Sequence, residues 1–104
     1  MERDELKKAI TKLKSSNHPI VVEGKKDKIA LSAVGIPAKR IIPLNKRPLY
    51  QVVEDLMKDN IKHINLLPDL DPRGKNIFGT LNSTCSSFGI KVNTDFRNFL
   101  YRNT

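Results

Sequence analysis

The sequence predicts an α/β fold: one compact domain with about four parallel strands sandwiched between helices. Three observations predict it. Short apolar runs, partly β-branched, recur along the chain, and each is followed by a stretch with helical spacing. Strands that alternate with helices of ~10–15 residues favour a parallel sheet covered on both faces. The chain has 104 residues, of which 38% are hydrophobic and 29% charged, the profile of a single globular domain.

The elements follow in order. Residues 2–16 read as an amphipathic helix, because Leu6, Ala9, Ile10 and Leu13 fall on one face. Pro19 to Val22 is a short apolar strand that stops at Glu23-Gly24. A helix over about 26–34 carries Ile29, Ala30, Leu31, Ala33 and Val34, and Gly35 ends it. Residues 40–44 form a second strand, and Pro43 places it at a sheet edge or at its own end. The basic loop Asn45-Lys46-Arg47-Pro48 follows, with Pro48 suited to the first turn of the next helix. That helix carries Leu49, Val52, Val53, Leu56 and Met57. Residues 62–67 are the third strand, and 72–87 the next helix, with Ile77, Phe78, Leu81 and Cys85 inward and Gly89 after it. Ile90 to Val92 is the fourth strand. Asn93 or Thr94 caps a last helix, over 94–102, that bears Phe96, Phe99 and Leu100.

Bulk properties narrow the function classes. The formal net charge of +8 on so short a chain favours a polyanionic partner, nucleic acid first. The plain alternative is a lysine-rich soluble surface. Apolar runs of four or five residues fall far below the ~20 that a spanning helix needs, so no membrane role is expected. The opening MERDELKKAI lacks the apolar core of a signal peptide. The single cysteine, Cys85, has no internal disulfide partner and is expected to pack as a small apolar residue in a reducing compartment. The expected location is cytoplasmic.

Two strands end in acid. In open parallel sheets function gathers at the carboxyl ends of the strands. The first strand ends at Glu23, and the third runs into Pro68-Asp69-Leu70-Asp71. If residues 69–71 stay extended, Asp69 and Asp71 point to the same side. If the two strands are neighbours, Glu23 joins them. Three close carboxylates repel one another and call for a compensating cation. Mg²⁺ suits an all-oxygen set and shares substrate phosphates, with Mn²⁺ as a substitute. Gly24 and Gly74 let the backbone approach a ligand. Pro72 suits the start of a helix whose free N–H groups face an anion. Lys25, Lys26, Arg73 and Lys75 balance phosphate charge, and Lys46 and Arg47 are candidate contacts to a nucleic-acid backbone. The competing reading is turn and cap chemistry for Asp69 and Asp71, a common strand-end residue for Glu23, and a solvated loop for Lys46 and Arg47. Asp27 stands open between an outer metal ligand and a helix N-terminal acid. Tyr50 and Tyr101 read as packing or surface aromatics, and His18 and His63 as structural or solvated.

Val21-Val22-Glu23-Gly24-Lys25-Lys26-Asp27, with Ala30-Leu31 and Gly35-Ile36 after it, resembles the first motif of the Toprim domain. Leu66-Leu67-Pro68-Asp69-Leu70-Asp71-Pro72-Arg73-Gly74 resembles its second, a hydrophobic strand ending in Asp-x-Asp-x-x-Gly. The resemblance spans about residues 19–92 and is nearest to small stand-alone Toprim proteins and to the Toprim part of the bacterial 5S ribosomal RNA maturase. It implies one Toprim-like domain over 1–104 and Mg²⁺-dependent chemistry on phosphodiester bonds. Carried over, Glu23 is the general acid or base, and Asp69 and Asp71 hold the metal. One cysteine and two histidines do not supply the four-ligand zinc site of a primase. The expected function is a small nuclease acting on RNA or DNA. The alternative is a metal-assisted, non-catalytic nucleic-acid clamp in an RNA-processing or DNA-repair assembly, where a protein partner supplies specificity. A weaker third reading is a small-molecule phosphatase.

Overall fold

The fold is that of a computed structural model, which describes residues 3–67 and 72–102. The described elements run α1 (Arg3–Ser15), β1 (Ile20–Val22), α2 (Lys25–Ala33), a 3₁₀ turn (Ala38–Arg40), β2 (Ile41–Pro43), α3 (Leu49–Lys58), β3 (His63–Leu67), α4 (Pro72–Ser87), β4 (Lys91–Asn93) and α5 (Asp95–Arg102). The sheet has four strands in the order β2-β1-β3-β4, and every pairing is parallel. The alternating architecture expected from the sequence is therefore present. β2 is an edge strand and ends at Pro43, where a missing N–H costs least.

Each face of the sheet buries its own core. Val21, Ile64 and Leu66 pack with Val52, Val53 and Leu56 of α3 and with Leu81 and Cys85 of α4. On the other face Ile20, Val22 and Ile41 pack with Leu13 of α1 and Ile36, and Leu31 and Phe96 lie against them. β1 is central, so all three of its residues are buried, which explains its unbroken apolar run. β4, at the other edge, leaves Lys91 and Asn93 exposed.

Helix ends set the strand starts. At the end of α2, Ile36 donates to the Leu31 carbonyl at 3.2 Å and Gly35 to Ser32 at 3.0 Å, a Schellman closure. Gly35 takes φ +97°, and a Cβ there would meet Lys14 Nζ at 2.9 Å. The same pair of bonds closes α3 around Asn60, at φ 57°, and α4 around Gly89, at φ 78°. Ile90 donates to the Cys85 carbonyl within the α4 closure, so β4 starts at Lys91, one residue later than the apolar pattern suggests. Pro48 sits just before α3 rather than in its first turn, and its carbonyl accepts from Gln51 at 3.1 Å.

α1 ends differently. Asn17 carries the positive φ, 58°, and the last carbonyls are met by a side chain from a distant segment. Arg40 donates to the carbonyls of Leu13 (3.2 Å), Lys14 (3.0 Å) and His18 (2.9 Å), and to Ser16 Oγ (3.3 Å). A cation at a helix C-terminus also suits the macrodipole. His18 and His63 stack with ring centroids 4.8 Å apart.

Candidate functional site

The register of β1 and β3 builds the candidate site. Val22 stands opposite Leu67, so the two strands are neighbours and end at the same level. The condition that joins Glu23 to the acidic segment of the third strand is met on the β1 side. Asp69 and Asp71 lie outside the described residues. Among the described residues no group of three or more His, Cys, Asp or Glu is placed to hold a metal ion.

Glu23 is half-buried, one residue past β1. Its backbone is held by the neighbouring strand. Leu44 donates to the Val22 carbonyl at 2.8 Å, and Asn45 donates to the Glu23 carbonyl at 3.1 Å. The β1–β2 ladder thus continues beyond the strands and carries the next loop to the same edge. That loop is a tight turn, with Arg47 donating to the Leu44 carbonyl at 3.0 Å and positive φ at both Asn45 (50°) and Lys46 (62°). Positive φ at both central residues is the type I′ pattern. Asn tolerates that region, but Lys ordinarily does not.

The sequence-predicted cations separate. Arg47 is committed within the protein: it donates to the carbonyls of Leu44 (3.2 Å) and Pro43 (3.1 Å) and to Asp55 Oδ2 (3.2 Å). Lys46 is exposed at the head of the turn. Lys25 and Lys26 are exposed in the first turn of α2, directly after Glu23-Gly24. Arg73, Gly74 and Lys75 fall in the first turn of α4, which starts at Pro72 as expected.

Gly24 is the N-cap of α2, in extended conformation. Asp27 reaches back, and its Oδ2 accepts from the Gly24 N–H at 3.2 Å. This is the N3 half of a capping box. One oxygen of Asp27 is therefore used in closing the helix start, beside the Glu23 backbone.

Sequence reasoning did not single out Arg40 or Asn65. Arg40 has no local signal, because its partners lie more than 20 positions away. Asn65 interrupts the apolar run of β3 and is 4% exposed. Its Nδ2 donates to Ser16 Oγ at 3.1 Å. A polar residue inside an otherwise apolar central strand was the available signal.

No family model matches the chain. A UPF0292 protein of Methanocaldococcus jannaschii is 36% identical over 95 residues, which cover 89% of this chain and 73% of that protein. The chain belongs to the UPF0292 family. A UPF0292 protein of Pyrococcus abyssi is 35% identical over 91 residues, covering 88% of this chain and 67% of its own length. A solved structure described as a putative protein from Aquifex aeolicus superposes with a TM-score of 0.83 at 37% identity, over 93% of this chain and 89% of that one. The UPF0292 chain described here thus shares its architecture with an experimentally determined relative. Among its described residues no helix is long and apolar enough to cross a membrane.

Proposed function

We propose that this UPF0292 protein is a Toprim-type protein that carries out Mg²⁺-dependent phosphodiester chemistry on nucleic acid, as a small nuclease acting on RNA or DNA. The observation that carries the reading is the β1–β3 register. It puts Glu23 at the sheet edge where the chain runs on toward Asp69 and Asp71. The donor set fits the metal, since all three side chains offer hard carboxylate oxygens. Asp69 and Asp71, with Glu23 beside them, would hold the ion, which when bound supplies charge neutralisation at a phosphate. Glu23 moves a proton at the attacked or leaving oxygen. The first turns of α2 and α4 present backbone N–H groups to the phosphate. Lys25, Lys26 and Lys46 hold the backbone of the nucleic acid without reading its sequence.

The test is incubation of the purified protein with end-labelled structured RNA, single-stranded DNA and duplex DNA, in Mg²⁺, Mn²⁺ or EDTA, beside Glu23→Gln. The expected result is cleavage that needs the metal and disappears in the variant. Binding by both proteins with no cleavage in any metal would instead establish a non-catalytic clamp.

A further inference from the structure

A cavity of about 540 Å³ opens between α1, α5 and the middle of β3, and it includes none of the residues at the Glu23 edge. That volume lies within the ~300–1,000 Å³ of small-molecule sites. Its most informative lining group is Asn65, the one buried polar residue among the described residues. The hydrogen bonds around it fix the amide orientation. Ser16 Oγ donates to the Leu13 carbonyl at 2.9 Å, so toward Asn65 it acts as an acceptor. Asn65 therefore turns its NH₂ to Ser16, and Oδ1 is the remaining polar atom of a side chain that lines the cavity. A ligand that uses this floor brings a hydrogen-bond donor.

The walls are partly apolar and aromatic, with Asn98 among the α5 residues that line them. Phe96 and Phe99 line one side, with ring centroids 6.3 Å apart, and Ala9 and Leu13 of α1 line the other. Such walls suit a flat ring. The rim carries Lys8, Lys12 and Arg102 against Glu5 and Asp95. The Lys12–Asp95 pair is 3.9 Å apart with side chains 79% and 67% exposed, so it is weak and easily exchanged. The rim thus has a cationic excess for an anionic tail.

The geometry points to a nucleotide site: this cavity takes an amino-substituted nucleobase carrying a 5′-phosphate. The exocyclic amine donates to Asn65 Oδ1, the ring lies along Phe96 and Phe99, and the phosphate meets Lys8 and Arg102. Either a free mononucleotide or the phosphorylated 5′ end of a nucleic acid presents this chemistry. The site stands apart from the metal-dependent reading of the Glu23 edge.

The test is calorimetric titration of the full chain in EDTA, which removes any metal contribution, with AMP and with purine riboside 5′-monophosphate, which lacks only the amine. AMP is expected to bind up to about tenfold tighter, the worth of one neutral hydrogen bond. Ala9→Trp, which fills the cavity from the α1 side, is expected to abolish saturable binding. Arg102→Glu, at an exposed position in the last turn of α5, is expected to weaken AMP several-fold. Glu23→Gln is expected to bind AMP as the parent protein does. Equal affinity for the two nucleotides overturns the proposal. So does unchanged AMP binding in Ala9→Trp and Arg102→Glu, or no saturable binding of AMP up to about 5 mM. Comparison with a 5′-phosphorylated oligoadenylate distinguishes the two sources: tighter binding of the oligomer assigns a chain end, and equal binding a free nucleotide.

Discussion

Val22 faces Leu67 across the parallel β1–β3 ladder, and this single pairing brings the ends of the two strands to one level. The order β2-β1-β3-β4 keeps both strands central. Each is covered on its two faces by helices, so strand ends are where polar side chains cost least. Glu23 is the residue after one of those ends, and Asp69 follows the other by two positions.

Glu23→Gln is the sharpest test of that edge. The variant keeps the size of the half-buried side chain and the backbone bond to Asn45, and is expected to melt within a few degrees of the parent. Metal-dependent cleavage is expected to fall by ~10²–10⁴, the usual worth of a positioned acid or base. Thermal melts and single-turnover cleavage on the same samples check both halves. A large loss of stability would show that Glu23 holds the strand end together rather than acting on substrate.

Lys46 offers a different separation. It sits at φ 62°, where an L side chain is strained. Lys46→Gly is expected to raise stability by up to about 1 kcal/mol, since glycine relieves that strain. On the proposed function it also removes one phosphate contact, so the slope of log affinity against log salt is expected to fall by about 1. Urea melts and salt-dependent nucleic-acid binding read the two effects. Lys46→Asn is the control that keeps the turn and lacks the charge.

Much of this fold was legible because its signals are local. The apolar run at Ile20–Val22, the stop at Glu23-Gly24 and the glycine closing α2 each follow from a few adjacent residues. The place of Pro43 at an edge strand followed from one missing donor. The condition on which the acidic edge rests, that the first and third strands are neighbours, had to be assumed from sequence and is met, while Asp69 and Asp71 lie outside the described residues. The use of Asp27 on the Gly24 N–H was one of two readings open from sequence, since N-terminal acids and ligands look alike there. Arg47 reads as a loop cation, yet its partners Pro43, Leu44 and Asp55 become visible only when the turn closes. Arg40 and Asn65 were not legible in their roles, because each acts across the fold on the end of α1.

Arg40 is expected to be the costliest exposed-looking arginine to remove. Its guanidinium holds three carbonyls and Ser16 Oγ where α1 meets β1. Hydrogen bonds from charged donors are worth ~1.5–3 kcal/mol, and the orphaned carbonyls add to the loss. Arg40→Met, which keeps much of the stem, is expected to destabilise by about 2–3 kcal/mol. The comparison is Lys39→Met next to it, exposed and expected to change stability by less than ~0.5 kcal/mol. Urea midpoints for the two variants decide the point.

Cys85 of α4 is fully buried against the sheet. Burial pushes its thiol pKa above the ordinary value, because the thiolate is poorly solvated there. In the unfolded chain the thiol returns to that ordinary value. Between the two, the folded state binds more protons than the unfolded one. Stability is then complete below the unfolded pKa and is lost as pH rises toward the folded pKa. One such proton contributes a slope of at most ~1.4 kcal/mol per pH unit. Cys85→Ala is expected to be less stable at pH 7 through the lost packing, yet its stability should fall less steeply than the parent's above about pH 8.5. Urea midpoints taken from neutral to alkaline pH for both proteins check this. Parallel curves would mean that the thiol keeps its ordinary pKa in the fold, and that the core around Cys85 admits water.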